Sequence, residues 1–335
     1  MSTYRGIKGV KLQSLASDPS VFANGDVWFN TTSNTLKYNV EGAGAWASAN
    51  AIPANRGNSG ACGTKTAGLY VGGSEPNPTL NNALEFDGTN WTIGGTCVAS
   101  QKVHTCFTAG TQTAAVTAGG QPSNPAPKCE EYNGTSWTAS NDMTRTTAQQ
   151  MGGCIGGIQT AALACATDAS PFKLVESYDG TSWTAGTATT SSHGRAMGSQ
   201  IGTQTSCLCV GAGEGPTVAY TEEWNGSAWS EKADLNTGRG IGGSGGTATA
   251  GLVVAGYFYS VPTGQVKYTN TETFDGTSWT EVGDIGTAKA YVYGCGTQGA
   301  ALLAGGVTGP SSTPNSVTAE VWTDPIESTK TVTVS

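Results

Sequence analysis

The chain has 335 residues with 49 glycines, and charged residues make up only 12% of it. The aromatic content and low charge exclude a disordered chain, and the glycines do not recur at every third position, which excludes collagen. The net charge of −8 argues against a nucleic-acid-binding surface, because such a surface needs clustered lysine and arginine to neutralise phosphates.

The N-terminal residues predict a short β-hairpin. MSTYRGIKGVKLQ has basic residues with no apolar core behind them, and the chain has no apolar run long enough to span a membrane. We therefore expect neither a secretory leader nor membrane insertion. VWFN (27–30) and TLKYN (35–39) have the pattern of two strands around the turn TTSN (31–34).

From about residue 50 onward the sequence repeats with a period of about 46 residues. The first mark of the repeat is an apolar strand that ends in small residues, found at 69–73, 115–120, 162–167, 207–212, 252–256 and 302–306. The second mark is an aromatic residue with glutamate one or two positions before it: Phe86, Tyr132, Tyr178, Trp224, Phe274 and Trp322. The third mark is a tryptophan after the next turn, and it is present only five times: Trp91, Trp137, Trp183, Trp229 and Trp279.

The second and third marks are joined by a turn phrase such as FDGTNW (86–91) or YNGTSW (132–137). Asp-Gly or Asn-Gly between two aromatic-bearing strands indicates a hairpin with a type I′ turn, in which both central residues have positive φ. We therefore predict that this phrase joins the last two strands of each unit. Its Asp is replaced by Asn in two copies, which disfavours a catalytic role.

Another glycine-rich strand precedes each apolar strand, so each unit has about four short strands, and four strands in about 46 residues is the period of a β-propeller blade. The sixth tryptophan is missing after Trp322, but Trp46 lies 45 residues before Trp91, in register with the repeat. We infer an all-β, six-bladed propeller whose last blade is completed by the strand around Trp46. The alternative has seven blades, one of them built from residues 26–48 and the C-terminal TKTVTVS.

These marks resemble the kelch repeat family of β-propellers over about residues 50–325. The residues that carry the resemblance are the Gly-Gly doublets at 72–73, 119–120 and 305–306, the aromatic residues Phe86, Tyr132 and Tyr178, and Trp91, Trp137 and Trp183. A basic residue also stands seven positions before a glycine of the first strand at Arg56, Arg195, Arg239 and Lys289, while Val103 and Gln150 stand there in the second and third copies. These residues form either a ring of positive charge at one mouth or, as we favour, pairs with the repeated glutamates that hold each blade together.

The nine cysteines are an odd number, and a chain of this length can bury a core without disulfides. We expect buried thiols in a reducing environment. Cys207 and Cys209 have no matching Cys or His pair elsewhere, so we expect no metal site and no cofactor. The two histidines, His104 and His193, lie in different repeats and predict no copper centre.

The loops after the apolar strands differ in every repeat, and such irregular parts of a regular array are where function concentrates. The fifth loop, YFYSVPTGQVKY (257–268), is rich in aromatic residues: Tyr257, Phe258, Tyr259 and Tyr268. Exposed aromatic rings beside polar groups suit carbohydrate or protein contacts, so we take these four residues as ligand-binding candidates. The alternative is that the rings fill a gap between the fifth and sixth blades.

SVFANGDVWFNTTSNTLKYN (20–39) is similar to a segment of bacteriophage virion proteins, chiefly tail fibres and spikes. The likeness is carried by Gly25, Asp26, Trp28, Phe29, Asn30, Leu36 and Tyr38. In such proteins the N-terminal region attaches to the particle, often within a trimer, and a β-rich C-terminal domain faces outward. The resemblance implies an attachment segment in residues 1–40, with Trp28, Phe29, Leu36 and Tyr38 as its contact residues, before a propeller in residues 41–335.

The sequence thus predicts a non-enzymatic virion protein, a fibre, spike or decoration protein displayed on the particle surface and made in the bacterial cytoplasm. Its expected partners are other virion proteins, further copies of itself (a trimer being one option) and a host cell-surface glycan or protein. Two rival hypotheses remain open: a glycan-degrading fibre enzyme, for which Glu75, Asp168 and Glu214 are unmarked carboxylates in variable loops, and a free kelch interaction module.

Overall fold

The computed structural model describes residues 12–19, 25–41, 44–73, 80–98, 107–119, 128–144, 154–165, 172–213, 219–260, 264–309, 316–324 and 327–332. These residues form strands, turns and bends, and none of them is helical, which confirms the prediction of an all-β chain. The chain divides into two compact units. The larger unit is Ala45–Thr323, and the smaller unit combines Met1–Gly44 with Asp324–Ser335.

The strands are numbered in chain order. The first sixteen are β1 (Gln13–Leu15), β2 (Val27–Asn30), β3 (Thr35–Glu41), β4 (Ala45–Ala49), β5 (Gly60–Thr64), β6 (Ala67–Val71), β7 (Asn82–Phe86), β8 (Trp91–Thr96), β9 (Phe107–Thr111), β10 (Ala114–Ala118), β11 (Cys129–Tyr132), β12 (Trp137–Ser140), β13 (Cys154–Ile158), β14 (Ala161–Cys165), β15 (Val175–Tyr178) and β16 (Trp183–Ala185). The others are β17 (Ser199–Gln200), β18 (Gly202–Thr203), β19 (Ser206–Val210), β20 (Thr221–Trp224), β21 (Trp229–Lys232), β22 (Gly243–Thr247), β23 (Ala250–Val254), β24 (Tyr257–Ser260), β25 (Gly264–Lys267), β26 (Thr271–Phe274), β27 (Trp279–Glu281), β28 (Tyr293–Thr297), β29 (Ala300–Ala304), β30 (Ala319–Thr323) and β31 (Glu327–Thr331).

The smaller unit is one sheet in the order β1-β2-β3-β31. β2 and β3 form the predicted antiparallel hairpin around residues 31–34, with Asn34 at a positive φ of 54°. β31 pairs with β3, placing Lys330 opposite Tyr38, so the sheet contains strands from both ends of the chain. This differs from the expected boundary after residue 40, because β31 and residues 41–44 belong to the smaller unit and not to the propeller.

In the described residues of the larger unit, six sheets each contain an antiparallel set of four strands, to one of which β17 adds a fifth, parallel strand beside β13; β24 and β25 form a separate hairpin. Sheets I, II and III are β5–β8, β9–β12 and β13–β16; sheet IV is β18–β21; sheet V is β22-β23-β26-β27; and sheet VI is β28-β29-β30-β4. The first strands of the six sheets lie beside one another in a closed cycle, β5, β9, β13, β18, β22 and β28, with β28 beside β5. Radially arranged four-stranded sheets around a shared axis form a β-propeller.

Sheet VI takes its outer strand from the N-terminal part of the chain. β4 pairs with β30, and Trp46 lies opposite Trp322 with the ring centroids 5.5 Å apart. The Trp46 indole donates to Thr271 Oγ1 at 2.9 Å, as the Trp279 indole donates to Thr221 Oγ1 at 3.0 Å one sheet earlier. Trp46 therefore takes the place that the other five sheets give to the tryptophan after the turn.

The turn phrase forms the predicted hairpins, but the type I′ assignment is wrong. Phe86 pairs with Trp91, and of the turn residues 87–90 only Gly88 has a positive φ, +94°. Asp87 Oδ1 instead accepts the N–H groups of Thr89 and Asn90 at 2.8 and 2.6 Å. The same side-chain turn recurs at Asn133, Asp179, Asn225 and Asp275. Asp and Asn are equivalent here because each supplies one acceptor oxygen.

A glutamine in the turn between the first and second strands ties neighbouring sheets together, a repeat that the sequence analysis missed. Its amide donates to two carbonyl oxygens of the preceding sheet: Gln112 to Gly68 and Phe86, Gln159 to Ala115 and Tyr132, Gln204 to Ala162 and Tyr178, and Gln298 to Gly251 and Phe274. In the sequence, this repeat is visible as the phrase TQT at 111–113 and 203–205. Sheets I and V have Lys65 and Ala248 at this place.

Adding the missing glutamine should stabilise the ring. In Ala248→Gln the amide can reach the carbonyl oxygens of Cys207 and Trp224, the paired residues that correspond to the acceptors in the other sheets. We expect the free energy of unfolding to rise by about 1 kcal/mol in urea titrations. The matched control Gln112→Ala should lower it by about 1–2 kcal/mol, since two carbonyls lose their donor. A destabilising Ala248→Gln would show that sheets IV and V leave no room for this contact.

The glycine doublets let the second strand of one sheet approach the next sheet. A Cβ on Gly305, whose φ is +73°, would lie 2.2 Å from the carbonyl oxygen of Arg56, and one on Gly211 would lie 2.1 Å from that of Arg239. Gly306 N–H donates to the same Arg56 oxygen at 2.8 Å. The doublet is therefore required by a close backbone approach as well as by positive φ.

Gly305→Ala should destabilise the ring by about 2–4 kcal/mol, because it adds a left-handed alanine and a backbone clash. Gly286→Ala is the control, since a Cβ there meets nothing within 4 Å and the residue lacks a positive φ. We expect the control to stay within about 0.5 kcal/mol of wild type in the same urea titration. Equal losses in the two variants would contradict the close-approach explanation.

Candidate functional site

The first strand of each of the six sheets begins at the same end of the ring, after residues such as Asn58, Ile241 and Tyr291. We call this end the proximal mouth. Backbone hydrogen bonds join its segments: Asn58 N–H to Tyr291 O at 2.9 Å, Tyr291 N–H to Ile241 O at 2.8 Å and Ile241 N–H to Ala196 O at 3.2 Å. Asn58, Ile241 and Tyr291 have positive φ values of 59°, 49° and 54°. Left-handed non-glycine residues, and above all a β-branched one, cost free energy and concentrate at functional sites.

An extra hairpin stands at this mouth. β24 and β25 are inserted between the second and third strands of sheet V and pair antiparallel, with Tyr259 opposite Gln265. The base of the hairpin is held by Gly240, which exchanges two backbone hydrogen bonds with Tyr257 at 2.9 and 3.0 Å. On the other side Tyr268 bridges to Lys289. The hairpin is therefore fixed to the segments that lead into sheets V and VI.

The four predicted ligand-binding residues differ in exposure. Tyr257 is 1% exposed, stacks on Tyr291 with centroids 5.2 Å apart, and accepts a hydrogen bond from Arg195 Nη1 at 3.2 Å. Burial raises the pKa of the Tyr257 hydroxyl well above its usual value. Phe258 and Tyr268 are half-buried, while Tyr259 is 48% exposed. Tyr257 thus fills space inside the protein, and Tyr259 is the ring that the hairpin offers to solvent.

The basic residues of the repeat lie inside the sheets, paired as blade contacts. Arg239 Nη1 donates to Glu272, and both side chains are fully buried. Lys289 Nζ lies 3.2 Å from Glu320 Oε2. Sheet I has Leu84 at the glutamate position, and Arg56 donates instead to the carbonyl of Gly72 and to the side chain of Asn82. The structural interpretation of these cations is therefore favoured over a charged ring at the mouth; Val103 and Gln150 lie outside the described residues.

The assignment of Arg195 to this series is wrong by two residues. His193 occupies the place, with Nε2 2.7 Å from Glu222 Oε2 and Nδ1 3.1 Å from the carbonyl oxygen of Gly211. His193 thus takes the place beside the repeated glutamate that Arg239 has in sheet V and Lys289 in sheet VI. The count from the glycine failed because sheet IV has two extra residues before Gly202, and the left-handed residue is Arg195 there.

The extra residues of sheet IV enter the ring axis. β17 pairs parallel with β13 and also lies beside β5, β9, β22 and β28, the first strands of the other four sheets. Gly198 N–H donates to Gly242 O at 3.1 Å, and a Cβ on Gly198 would lie 2.1 Å from the Tyr293 ring. The backbone of residues 198–200 therefore occupies the axis of the ring.

The predicted attachment residues lie in the sheet of the smaller unit. Trp28 is 2% exposed, and its indole donates to Asp18 Oδ1 at 3.1 Å. Asp18 also accepts from Lys37 Nζ at 2.7 Å, and this bond lowers the pKa of its carboxyl group. Phe29, Leu36 and Tyr38 are half-buried on the opposite face, where Phe29 pairs with Leu36. Trp28 is thus separated from the other three by the alternation of the strand.

Phe29, Leu36 and Tyr38 belong to an apolar face that is open in part. Val27, opposite Tyr38, is 46% exposed, and Val332, whose N–H donates to Leu36 O, is 41% exposed. We call the face formed by Val27, Phe29, Leu36, Tyr38 and Val332 the apolar face of the smaller unit. Large exposed apolar patches are typical of interaction surfaces.

Metal ligands, a membrane-spanning helix, loop carboxylates and cysteines are the other features that bear on function. Among the described residues, no three or more His, Cys, Asp or Glu side chains are grouped in a way that could hold a metal ion. In the same part of the chain, no helix has the length and apolar character to cross a membrane. Glu75, Asp168 and Glu214 lie outside the described residues. Seven described cysteines are buried, as expected: Cys62, Cys97, Cys129, Cys165, Cys207, Cys209 and Cys295.

The comparisons with known proteins support the fold alone. No protein-family model matches the sequence, and no curated protein matches it. The solved structure of YjhT is similar to this chain, with a TM-score of 0.66 and 11% sequence identity over 83% of this chain and 99% of YjhT. Together with the four-stranded sheets, this similarity shows a kelch-like β-propeller-type fold.

Acidification should destabilise the ring through Glu222. Burial alone would raise the pKa of this carboxyl group, but hydrogen bonds from His193, Thr190 and Ser191 outweigh it and hold the pKa at about 2, below the usual 4.5. Because the pKa is lower in the folded state, the stabilisation is complete above about pH 4.5 and is lost as the pH falls towards about 2. Between about pH 4.5 and pH 2, the free energy of unfolding of wild type should fall by about 2 kcal/mol more than that of Glu222→Gln.

Urea titrations at several pH values measure this difference. Glu223→Gln is the matched control, since Glu223 is the next residue, lies partly exposed and pairs with Lys232 at 2.6 Å. It should keep the acid dependence of wild type. An unchanged acid dependence in Glu222→Gln would show that other carboxyl groups dominate the acid response.

Proposed function

We propose that this chain is a structural protein of a bacteriophage particle, a fibre, spike or decoration protein that binds the host surface without catalysis. The smaller unit attaches the chain to other virion proteins. The larger unit is a six-bladed kelch-like propeller, closed by the strand around Trp46, and it presents the proximal mouth to the host.

The observation that carries the proposal is the composition of the smaller unit. The segment that resembles phage virion proteins, residues 20–39, contributes β2 and β3, and β31 joins them from the other end of the chain. A sheet that gathers both chain ends, apart from a closed ring, suits a protein attached at one unit and functional at the other. The fold by itself does not imply this function.

The attachment surface that we propose is the apolar face of the smaller unit. It exposes Val27 and Val332, and an exposed apolar patch favours association with another protein or another copy of the chain. Several copies on one particle would convert weak binding at each mouth into avid attachment. The binding role of the mouth is supported by its exposed Tyr259 and by the strained residues around it.

Particles of the phage that encodes the chain provide the test. Mass spectrometry of purified particles should detect the full chain, and Val27→Asp with Val332→Asp should remove it from particles and lower its oligomeric state in light scattering. Both side chains are more than 40% exposed, so the charges need not disturb the fold. Ile93→Asp is the control, a 66% exposed apolar residue of the larger unit, and should assemble as wild type does. A chain absent from wild-type particles would overturn the proposal.

A further inference from the structure

We propose that the hairpin at the proximal mouth binds an uncharged sugar, with Tyr259 as the stacking ring and Gln265 as the polar contact. This inference rests on the proposed function, because it names the class of host-surface ligand that the propeller recognises.

Tyr259 supplies the platform. Its side chain is 48% exposed and lies directly opposite Gln265 in the antiparallel pair, so the two side chains are neighbours on one face of the hairpin. A tyrosine ring offers a large, rigid, amphipathic contact at low cost in conformational entropy. The flat apolar face of a sugar ring can cover such a ring while its hydroxyl groups reach the neighbouring amide.

Gln265 supplies a hydrogen-bonding group without a protein partner. Its Nε2 donates to the Tyr291 hydroxyl at 2.9 Å, while its Oε1 is enclosed and has no partner. Reversing the amide would put the nitrogen in the enclosed position instead of the oxygen, so one of the two polar atoms lacks a partner in either orientation. An enclosed polar atom of this kind costs about 1–3 kcal/mol. The second N–H of Nε2 can donate to a sugar hydroxyl on the Tyr259 side while the first stays on Tyr291.

The groups behind this pair hold it in place. Tyr291 has a left-handed backbone and stacks on Tyr257, which is fixed by its backbone bonds to Gly240 and by Arg195. A site whose support is already ordered loses little entropy on binding. A left-handed residue recurs at this place in sheets I, IV, V and VI, and in sheet VI it is Tyr291, the residue to which Gln265 is bonded.

The charges near the hairpin explain why the ligand is uncharged. Arg195 donates to the Tyr257 hydroxyl, Lys267 Nζ donates to the carbonyl oxygen of Gly309, and Lys289 is paired with Glu320. Lys289 is fully buried and paired with a carboxylate, and Arg195 and Lys267 each direct a donor to a neutral oxygen of the protein, so the charged groups are engaged away from Tyr259 and Gln265. A neutral sugar needs only the ring of Tyr259 and the amide of Gln265.

A glycan array displaying neutral hexose and N-acetylhexosamine oligosaccharides beside sialylated and uronic-acid oligosaccharides tests the proposal on the full chain. We expect binding to neutral oligosaccharides, weakened at least about tenfold in Tyr259→Ala and in Gln265→Leu and kept within about twofold in Tyr259→Phe. Ile93→Ala, which shortens an exposed side chain of sheet I, should bind as wild type does. Circular dichroism of each variant checks that the fold is retained.

Adsorption of the labelled chain to host cells separates this inference from the proposed function. Adsorption that survives Tyr259→Ala and is not inhibited by neutral oligosaccharides would overturn the sugar site while leaving the attachment role intact. Tyr259-dependent sugar binding by a chain that is absent from particles would support the site and overturn the virion role. Binding only to acidic oligosaccharides, or equal binding by wild type and Tyr259→Ala, would also overturn the sugar site.

Discussion

The pairing of β4 with β30 is the contact on which the ring depends. In a closed ring the last sheet packs between two neighbours, as every other sheet does. The described chain after β30 gives sheet VI no fourth strand, so this strand comes from another part of the chain. Residues 45–49 supply that strand, and Trp46 covers Trp322 and reaches Thr271 of sheet V. Without this ladder, sheet VI would end at β30 with its backbone groups exposed and its aromatic pair broken.

Two sets of carboxylates then join sheet to sheet. The first binds the chain as it passes from one sheet to the next: N–H groups of residues 98, 144, 190 and 236 donate to Glu130, Glu176, Glu222 and Glu272. Buried carboxylates are tolerated there because they accept hydrogen bonds, and Glu272 also pairs with the guanidinium of Arg239. The second set accepts from tyrosine hydroxyls, Tyr132 to Glu85 and Tyr178 to Glu131, each at 2.5 Å. Among the described residues this contact is confined to sheets II and III, since sheets IV and V have Trp224 and Phe274 in place of the tyrosine.

The periodic part of the fold was predictable because each repeat solves the same packing problem with the same residue types. The spacing of the tryptophans predicts Trp46 as the partner of the last repeat, and Trp46 does pair with Trp322. The seven-blade alternative joined residues 26–48 with TKTVTVS, and β3 does pair with β31, although these strands belong to the smaller unit. Residue counting failed at Arg195 because two extra residues enter the axis of the ring. Nothing in the sequence GRAMGSQIG (194–202) predicts this backbone path.

The candidate site was predictable only in outline. The aromatic composition of residues 257–268 identified the hairpin, but composition does not tell which ring faces solvent. Tyr257 is buried because its backbone pairs with Gly240, and Tyr259 is exposed two residues later. Gln265 could not be found from the sequence, since its importance comes from Tyr291, which belongs to the next sheet and is brought near by a left-handed turn.

The two chain crossings between the units have a mechanical consequence. Ala45 and Thr323, where the larger unit begins and ends, are paired residues of adjacent antiparallel strands, and Glu41 and Glu327 are paired in the same way in the smaller unit. Tension carried from one unit to the other is therefore shared by two neighbouring strands at each end. To open the ring, such a load must break the five-residue pairing of β4 with β30 from its end, against the packing of Trp46 on Trp322. A load applied through the chain would therefore act first on the pair of strands that closes the ring.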